Sequence, residues 1–168
     1  MKNFDQFDDD IKRQAEELQE FLNNDLLDII EVQGINHFEE SFDNEGFTDD
    51  SLDKWKPRKT VDKKGRDITR YRTNKVGKAG NLNSYGRKNE GRAILTGHNT
   101  GGNKLRNSLK SSKISEGVEF STDKEYAEVH NEGSDIMHKR QFIGASKALN
   151  DKILKKVDKT LDKIFDNE

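Results

Sequence analysis

Asn107-Ser108-Leu109-Lys110-Ser111-Ser112-Lys113-Ile114-Ser115-Glu116-Gly117-Val118-Glu119-Phe120-Ser121-Thr122-Asp123-Lys124-Glu125-Tyr126-Ala127-Glu128-Val129-His130-Asn131-Glu132-Gly133 holds a strand pattern, a turn and a helix pattern in succession. Residues 107–115 and 118–121 read as two strands that pair through Glu116-Gly117, with Val118 and Phe120 two apart and therefore on one face. Thr122-Asp123-Lys124-Glu125 then has the capping-box pattern: the Thr hydroxyl can accept from the Glu125 amide while the Glu side chain reaches back. A short helix is expected to follow, with Tyr126, Val129 and His130 on one face and Gly133 at its end. A hairpin between helical segments makes the chain α+β rather than all-α.

Towards the C-terminus, Leu149, Ile153, Val157, Leu161 and Ile164 recur at helical spacing, and lysines 152, 155, 156, 159 and 163 fall largely off that stripe. Towards the N-terminus, Phe4, Phe7, Ile11, Ala15, Leu18 and Leu22 mark a first amphipathic helix. Asn23-Asn24-Asp25 reads as a break, with Asp25 as N-cap of a second helix through Leu26, Ile29, Ile30, Ile35, Phe38 and Phe42; one long, bent rod is the alternative. Gly34 weakens the middle of this run. Asp43-Asn44-Glu45-Gly46 is a stop signal, because Asn and Gly accept the left-handed C-cap geometry. The expected fold is one α+β domain over residues 1–168, with N-terminal helices, a small antiparallel sheet and a C-terminal helix. Residues 1–53 are its acidic helical segment, 56–104 a long basic flexible loop, and 105–168 its strands and last helix. The loop is rich in Gly, Lys, Arg and Asn with only isolated apolar residues, and is expected to be disordered in the free protein.

Hydrophobic residues make up 30% of the chain and charged residues 37%, at a mean hydropathy of −1.09. An average soluble domain is about 45–50% apolar, so part of this chain is expected to stay outside a core, or to enter one only beside a partner subunit. The absence of cysteine excludes disulfides, thiolate metal sites and cysteine nucleophiles. No apolar run reaches the roughly 18 residues of a membrane helix, and Met-Lys-Asn-Phe-Asp lacks a secretory h-region; a cytoplasmic protein without membrane contact is expected. The net charge of −2 conceals segregation: residues 1–53 carry −14, residues 54–113 carry +15 and residues 114–168 carry −3. Such blocks attract each other, another subunit or a charged polymer.

Several patterns touch on chemistry without supplying it. Gly97-His98-Asn99-Thr100-Gly101-Gly102-Asn103-Lys104-Leu105 superficially resembles a phosphate loop, but Asn103 separates Lys from the last Gly and Leu105 fills the hydroxyl position. His37, His98, His130 and His138 include no pair at i, i+4 spacing, so no metal site is expected. Asp8-Asp9-Asp10 and Asp49-Asp50 read as solvated helix ends; acid–base catalysis needs carboxylates held in different environments. No cofactor is expected and no catalytic residue is assigned. The basic middle, with aromatics only at Trp55, Tyr71 and Tyr85, could neutralise phosphates without reading sequence. Its candidate contacts to DNA or a partner are Lys63, Lys64, Arg66, Arg70 and Arg72, and the competing reading is internal pairing with the acidic helices.

Three pieces carry a resemblance. The first is Phe42-Asp43-Asn44-Glu45-Gly46-Phe47, ending in Trp55-Lys56-Pro57. The second is Ile94-Leu95-Thr96-Gly97, then Leu105-Arg106-Asn107-Ser108-Leu109. The third is Tyr126-Ala127-Glu128-Val129-His130-Asn131-Glu132-Gly133, then Met137-His138-Lys139-Arg140-Gln141-Phe142-Ile143-Gly144. In this order, over roughly residues 26–150, the chain resembles the phage virion morphogenesis family, the tail completion proteins of Mu-like and P2-like phages. The chain departs from the family pattern at His138, where Pro is usual, and in a longer, more basic insertion between Trp55 and Ile94.

The resemblance implies an α+β structural protein, not an enzyme, that completes the tail or joins it to the head. It implies self-association into a ring, other phage neck or tail proteins as partners, and a place in the virion after assembly in the bacterial cytoplasm. The motif residues Trp55, Pro57, Gly97, Tyr126, His130, Gly133, Arg140, Phe142 and Gly144 are expected to be structural or interfacial. Trp55 is expected to pack the helical exit against the sheet, Phe142 to dock the last helix, and Arg140, set between apolar residues, to hold a carboxylate or carbonyl. The second functional reading is a nucleic-acid-binding protein that uses the basic middle without sequence preference.

Overall fold

The computed structural model of the chain describes residues 4–57, 59–69, 71, 81–91, 95, 104–135 and 137–165. The fold is α+β. Helix α1 (Phe4–Glu20) runs through a wide π-helical turn (Phe21–Asp25) directly into α2 (Leu26–Asp43). The Leu26 amide donates back to the Phe21 carbonyl, and Asp25 stays helical with no capping bond from its side chain. The break and N-cap expected at Asn23-Asn24-Asp25 are therefore corrected to the continuous rod. Asn and Asp favour local side-chain bonds that compete with a helix, but keeping the turn helical buries Phe21, which is 2% exposed.

Gly34 has a packing reason to be in α2. A Cβ there would lie 2.1 Å from the tip of the Phe120 ring, so glycine admits the sheet to the helix. Helix α2 ends at Asp43 as expected, by different means. Asn44 remains right-handed, Glu45 takes the left-handed φ of 49°, and Gly46 already belongs to a strand.

That strand, β1 (Gly46–Thr48), pairs antiparallel with β2 (Leu52–Lys54), with Thr48 opposite Leu52. The hairpin lies beyond the helix stop expected at residues 43–46 and adds two short strands to the end of the segment read as acidic and helical. Its strands are three residues long, and Phe47 and Leu52 alone are too few to show alternation. Asp49 and Asp50 lie in its turn. The second antiparallel pair is the expected one: β3 (Leu109–Ile114) and β4 (Gly117–Thr122), with Ser111 opposite Phe120 and Lys113 opposite Val118. A 3-10 turn over Arg106–Ser108 delays β3 by two residues.

The capping box at 122–125 does not form. Thr122 still belongs to β4; its hydroxyl meets Ser108 Oγ at 2.6 Å and accepts weakly from the Lys124 amide at 3.3 Å. Helix α4 (Ala127–Glu132) starts after Tyr126 without a side-chain cap and ends at Gly133, whose φ of 82° favours glycine.

Helix α5 (Lys147–Phe165) packs along α2 and contacts α1. Ser146 caps it by accepting from the Leu149 amide at 3.0 Å, while its hydroxyl donates to Thr48 O. Two apolar clusters result. One joins Phe42, Trp55, Leu105, Ala127 and Phe142; the other joins Phe38, Phe47 and Leu149. Leu109 and Ile143 pack against both and link them.

The described residues of 56–104 hold short elements only, consistent with the long flexible loop expected there, and some of them bond to one another. Val61 bridges Asp67 around a turn in which Asp62 accepts from the Lys64 and Arg66 amides. Helix α3 (Ser84–Asn89) is capped by Asn83, and Gly86 sits so close to the Tyr71 backbone that a Cβ would be 2.1 Å from its carbonyl. Thr69, Tyr71 and Asn89 are buried there.

Candidate functional site

The residues singled out between Tyr126 and Gly144 form a single joint. After α4, a tight turn closes through reciprocal backbone bonds between Ser134 and Met137, and the returning chain gives the Arg140 amide to His130 O at 2.7 Å. Gly133 is needed where the two passes cross, since a Cβ would lie 2.9 Å from Lys139 N. Asn131 Oδ1 then accepts from the amides of both Phe142 (3.0 Å) and Ile143 (3.1 Å). Trp55 Nε1 donates to Gln141 O at 2.8 Å, its ring meets Phe42 edge-on, and Phe42 in turn meets Phe142. Phe142 is 1% exposed. Trp55 thus fastens the exit of the β1–β2 hairpin to segment 141–142, with Leu109 of β3 packed on the same cluster.

Arg140 is buried, and it obtains the carbonyl partner expected of it: one terminal nitrogen donates to His138 O at 3.1 Å, while Nε has no partner. Desolvation lowers its pKa. His130 lies beneath Tyr126, ring edge to ring face at 5.9 Å, with Nδ1 buried and unpartnered. Burial, and then the Arg140 charge, lower its pKa, so the joint favours neutral imidazole. Pro57 and Gly144 are exposed, and Gly144 has a φ of 146°. Gly97, Arg70 and Arg72 lie outside the described residues, as does nearly all of the phosphate-loop-like piece.

Charge is distributed in two ways. Basic residues that follow the loop pair with acidic α2: Arg106 makes a two-pronged bond to Asp43 with Glu39 nearby, and Lys113 meets Asp28 at 2.5 Å. Lys152 of α5 reaches Glu40 at 2.7 Å. Among the candidate contact residues, Arg66 is engaged by Asp62 at 2.7 Å, while Lys63 and Lys64 are exposed with no side-chain ion pair among the described residues.

Several residues that hold the joint and the helices around it carry little or no signal in the sequence. Asn131 had no signal of its own; its role depends on a segment eleven residues later. Ser146, directly before an apolar helical run, carried a legible N-cap signal. Asp49 accepts from the Lys147 amide at 2.8 Å at the start of α5; the reading of Asp49-Asp50 as solvated helix ends is corrected, since both lie in the β1–β2 turn. His37 donates from Nε2 to Thr48 O at 2.9 Å, and burial lowers its pKa. An open cleft beside Asp49, Asp50 and Asp53 is bordered by Gln141. Among the described residues, no group of His, Asp and Glu is arranged to hold a metal ion, and no helix is long and apolar enough to cross a membrane.

No protein-family model, curated protein or solved structure matches the chain.

Proposed function

We propose that the protein is a phage structural subunit that completes the tail or joins it to the head, acting within a ring of identical copies. One observation carries this reading: the three separated sequence pieces that resemble the virion morphogenesis family meet in one apolar cluster. Phe42 and Trp55 come from the first piece, Leu95, Leu105 and Leu109 from the second, and Ala127, Phe142 and Ile143 from the third. Residues scattered over a hundred positions have a common physical task, which is what a resemblance in fold requires and a chance pattern does not. Their polar groups serve backbone joints rather than a reacting centre.

A second feature supports self-association. Helix α1 leaves Phe4 86%, Phe7 59% and Ile11 49% exposed, and α5 leaves Leu154 56% exposed. Large apolar side chains left exposed along one helix suit a face covered by a neighbouring subunit. The test is to delete the coding sequence in the phage or prophage that carries it and to examine the particles by electron microscopy, alongside mass spectrometry of purified virions. Unjoined heads and tails, or tails with incomplete ends, are the expected outcome. Normal infectious particles from the deletion, together with absence of the protein from virions, would overturn the reading.

A further inference from the structure

The charge of the basic middle is not all available to a partner, and the structure separates what is from what is not. Arg106 and Lys113 are engaged by carboxylates of α2, and Arg66 by Asp62. Asp67, the other acidic residue near the 61–67 turn, accepts from the Thr69 amide and hydroxyl, both at 2.6 Å. Lys59, Lys63, Lys64, Arg87 and Lys88 are exposed and have no carboxylate partner among the described residues. Arg87 is held in place by neutral oxygens alone, Leu82 O at 2.9 Å and Ser84 Oγ at 3.2 Å.

These cations belong to one local unit. The Ile68 amide bonds to Thr60 O, the Tyr71 amide to Thr69 Oγ1, and the Asn83 amide to Tyr71 O. The turn that carries Lys63 and Lys64 is thereby tied to the helix that carries Arg87 and Lys88. The same helix holds Tyr85, 52% exposed, with its ring beside Tyr71 at 5.7 Å. Glu90, at the helix end, is the one exposed carboxylate described there.

We infer that residues 59–69 and 81–90 form a nucleic-acid-binding surface, in which Lys59, Lys63, Lys64, Arg87 and Lys88 contact the phosphate backbone and Tyr85 lies against an unpaired base. Cations without a carboxylate partner neutralise phosphates and release condensed counterions, while an exposed ring stacks on any base. That combination favours a polynucleotide over an acidic protein, which offers carboxylates but no base to stack. The inference goes beyond the structural role proposed above and does not depend on it, since it concerns the purified chain alone.

The test is fluorescence anisotropy with the full chain, a random-sequence duplex and the matching single strand. With five phosphate contacts, duplex affinity should fall about 500-fold between about 50 and about 200 mM salt. The triple variant K59Q/K63Q/K64Q should bind more weakly and lose only about tenfold over the same range. R106Q/K113Q, which removes charges already paired internally, should leave the salt dependence unchanged. Tyr85→Ala should weaken single-strand binding by roughly fivefold to a hundredfold and leave duplex binding nearly as it was. Absence of wild-type binding at the lowest salt overturns the inference, whatever the variants do. So does an equal effect of R106Q/K113Q, or complete displacement of the strand by polyglutamate at matched charge, which would assign the surface to an acidic protein.

Discussion

Truncating Phe142 tests whether the joint between the motif segments holds the fold together. The ring is 1% exposed and lies among Phe42, Trp55, Leu105 and Ala127. A phenylalanine buries about 150–250 Å², and at about 25 cal/mol per Å² this corresponds to roughly 4–6 kcal/mol for the whole residue. Alanine keeps part of that area, but the cavity adds a penalty, and Phe→Ala in a core costs about 3–5 kcal/mol. A domain of ordinary stability has about 5–15 kcal/mol in total, so Phe142→Ala should remove a large fraction of it. Urea unfolding followed by tryptophan emission is the suitable assay, because Trp55 is the only tryptophan and belongs to the same cluster. The midpoint should fall sharply and the native emission should shift to the red. Phe165→Ala, at a position 52% exposed, is the control and should change stability by at most about 0.5 kcal/mol. A loss below about 1.5 kcal/mol for Phe142→Ala, well short of the core range, with unchanged emission would refute the joint.

Gly34→Ala should destabilise the protein by about 1–3 kcal/mol through overpacking against Phe120, although alanine is the better helix former by about 1 kcal/mol; combining it with Phe120→Leu in a double-mutant cycle should recover much of the loss, and simple additivity would contradict the contact. Asn131→Ala should cost about 1–3 kcal/mol because two amides lose their acceptor, whereas Asn131→Asp, which keeps that oxygen, should cost less by thermal melting; equal losses would show that the cap is not the cause. Stability should fall with pH through the range of an ordinary histidine, since His37 and His130 both have lowered pKa values in the folded chain. The unfolded chain then takes up protons first, so stability is fully present above about 6.5, the unfolded value, and is lost as pH drops towards the folded values. His37→Gln with His130→Gln should flatten that slope in urea titrations at pH 7 and pH 5, and an undiminished slope would assign it to carboxylates.

Legible in the amino-acid sequence alone were the α+β class, the hairpin with Val118 and Phe120 on one face, the end of α4 at Gly133, the apolar stripe of α5 and the place where α2 stops. Each of these is written locally, in apolar spacing or in a residue such as Gly133 whose conformation side chains disfavour. Trp55 and Phe142 were legible as packing residues because large apolar side chains are driven to burial, and both are buried. Tertiary structure decided the rest wherever a local preference competed with burial. Asn23-Asn24-Asp25 stays helical because leaving the helix would expose Phe21, and Gly34 is explained only by a ring eighty-six residues later. Thr122 gave up a cap for the strand and for Ser108. Asn131, Gln141 and Asp49 acquire their roles from segments that local patterns cannot place beside them. The division of the basic residues was equally invisible in one dimension: total charge is a property of composition, but which cations meet a carboxylate depends on where α2 lies, and electrostatic attraction acts through distance in space.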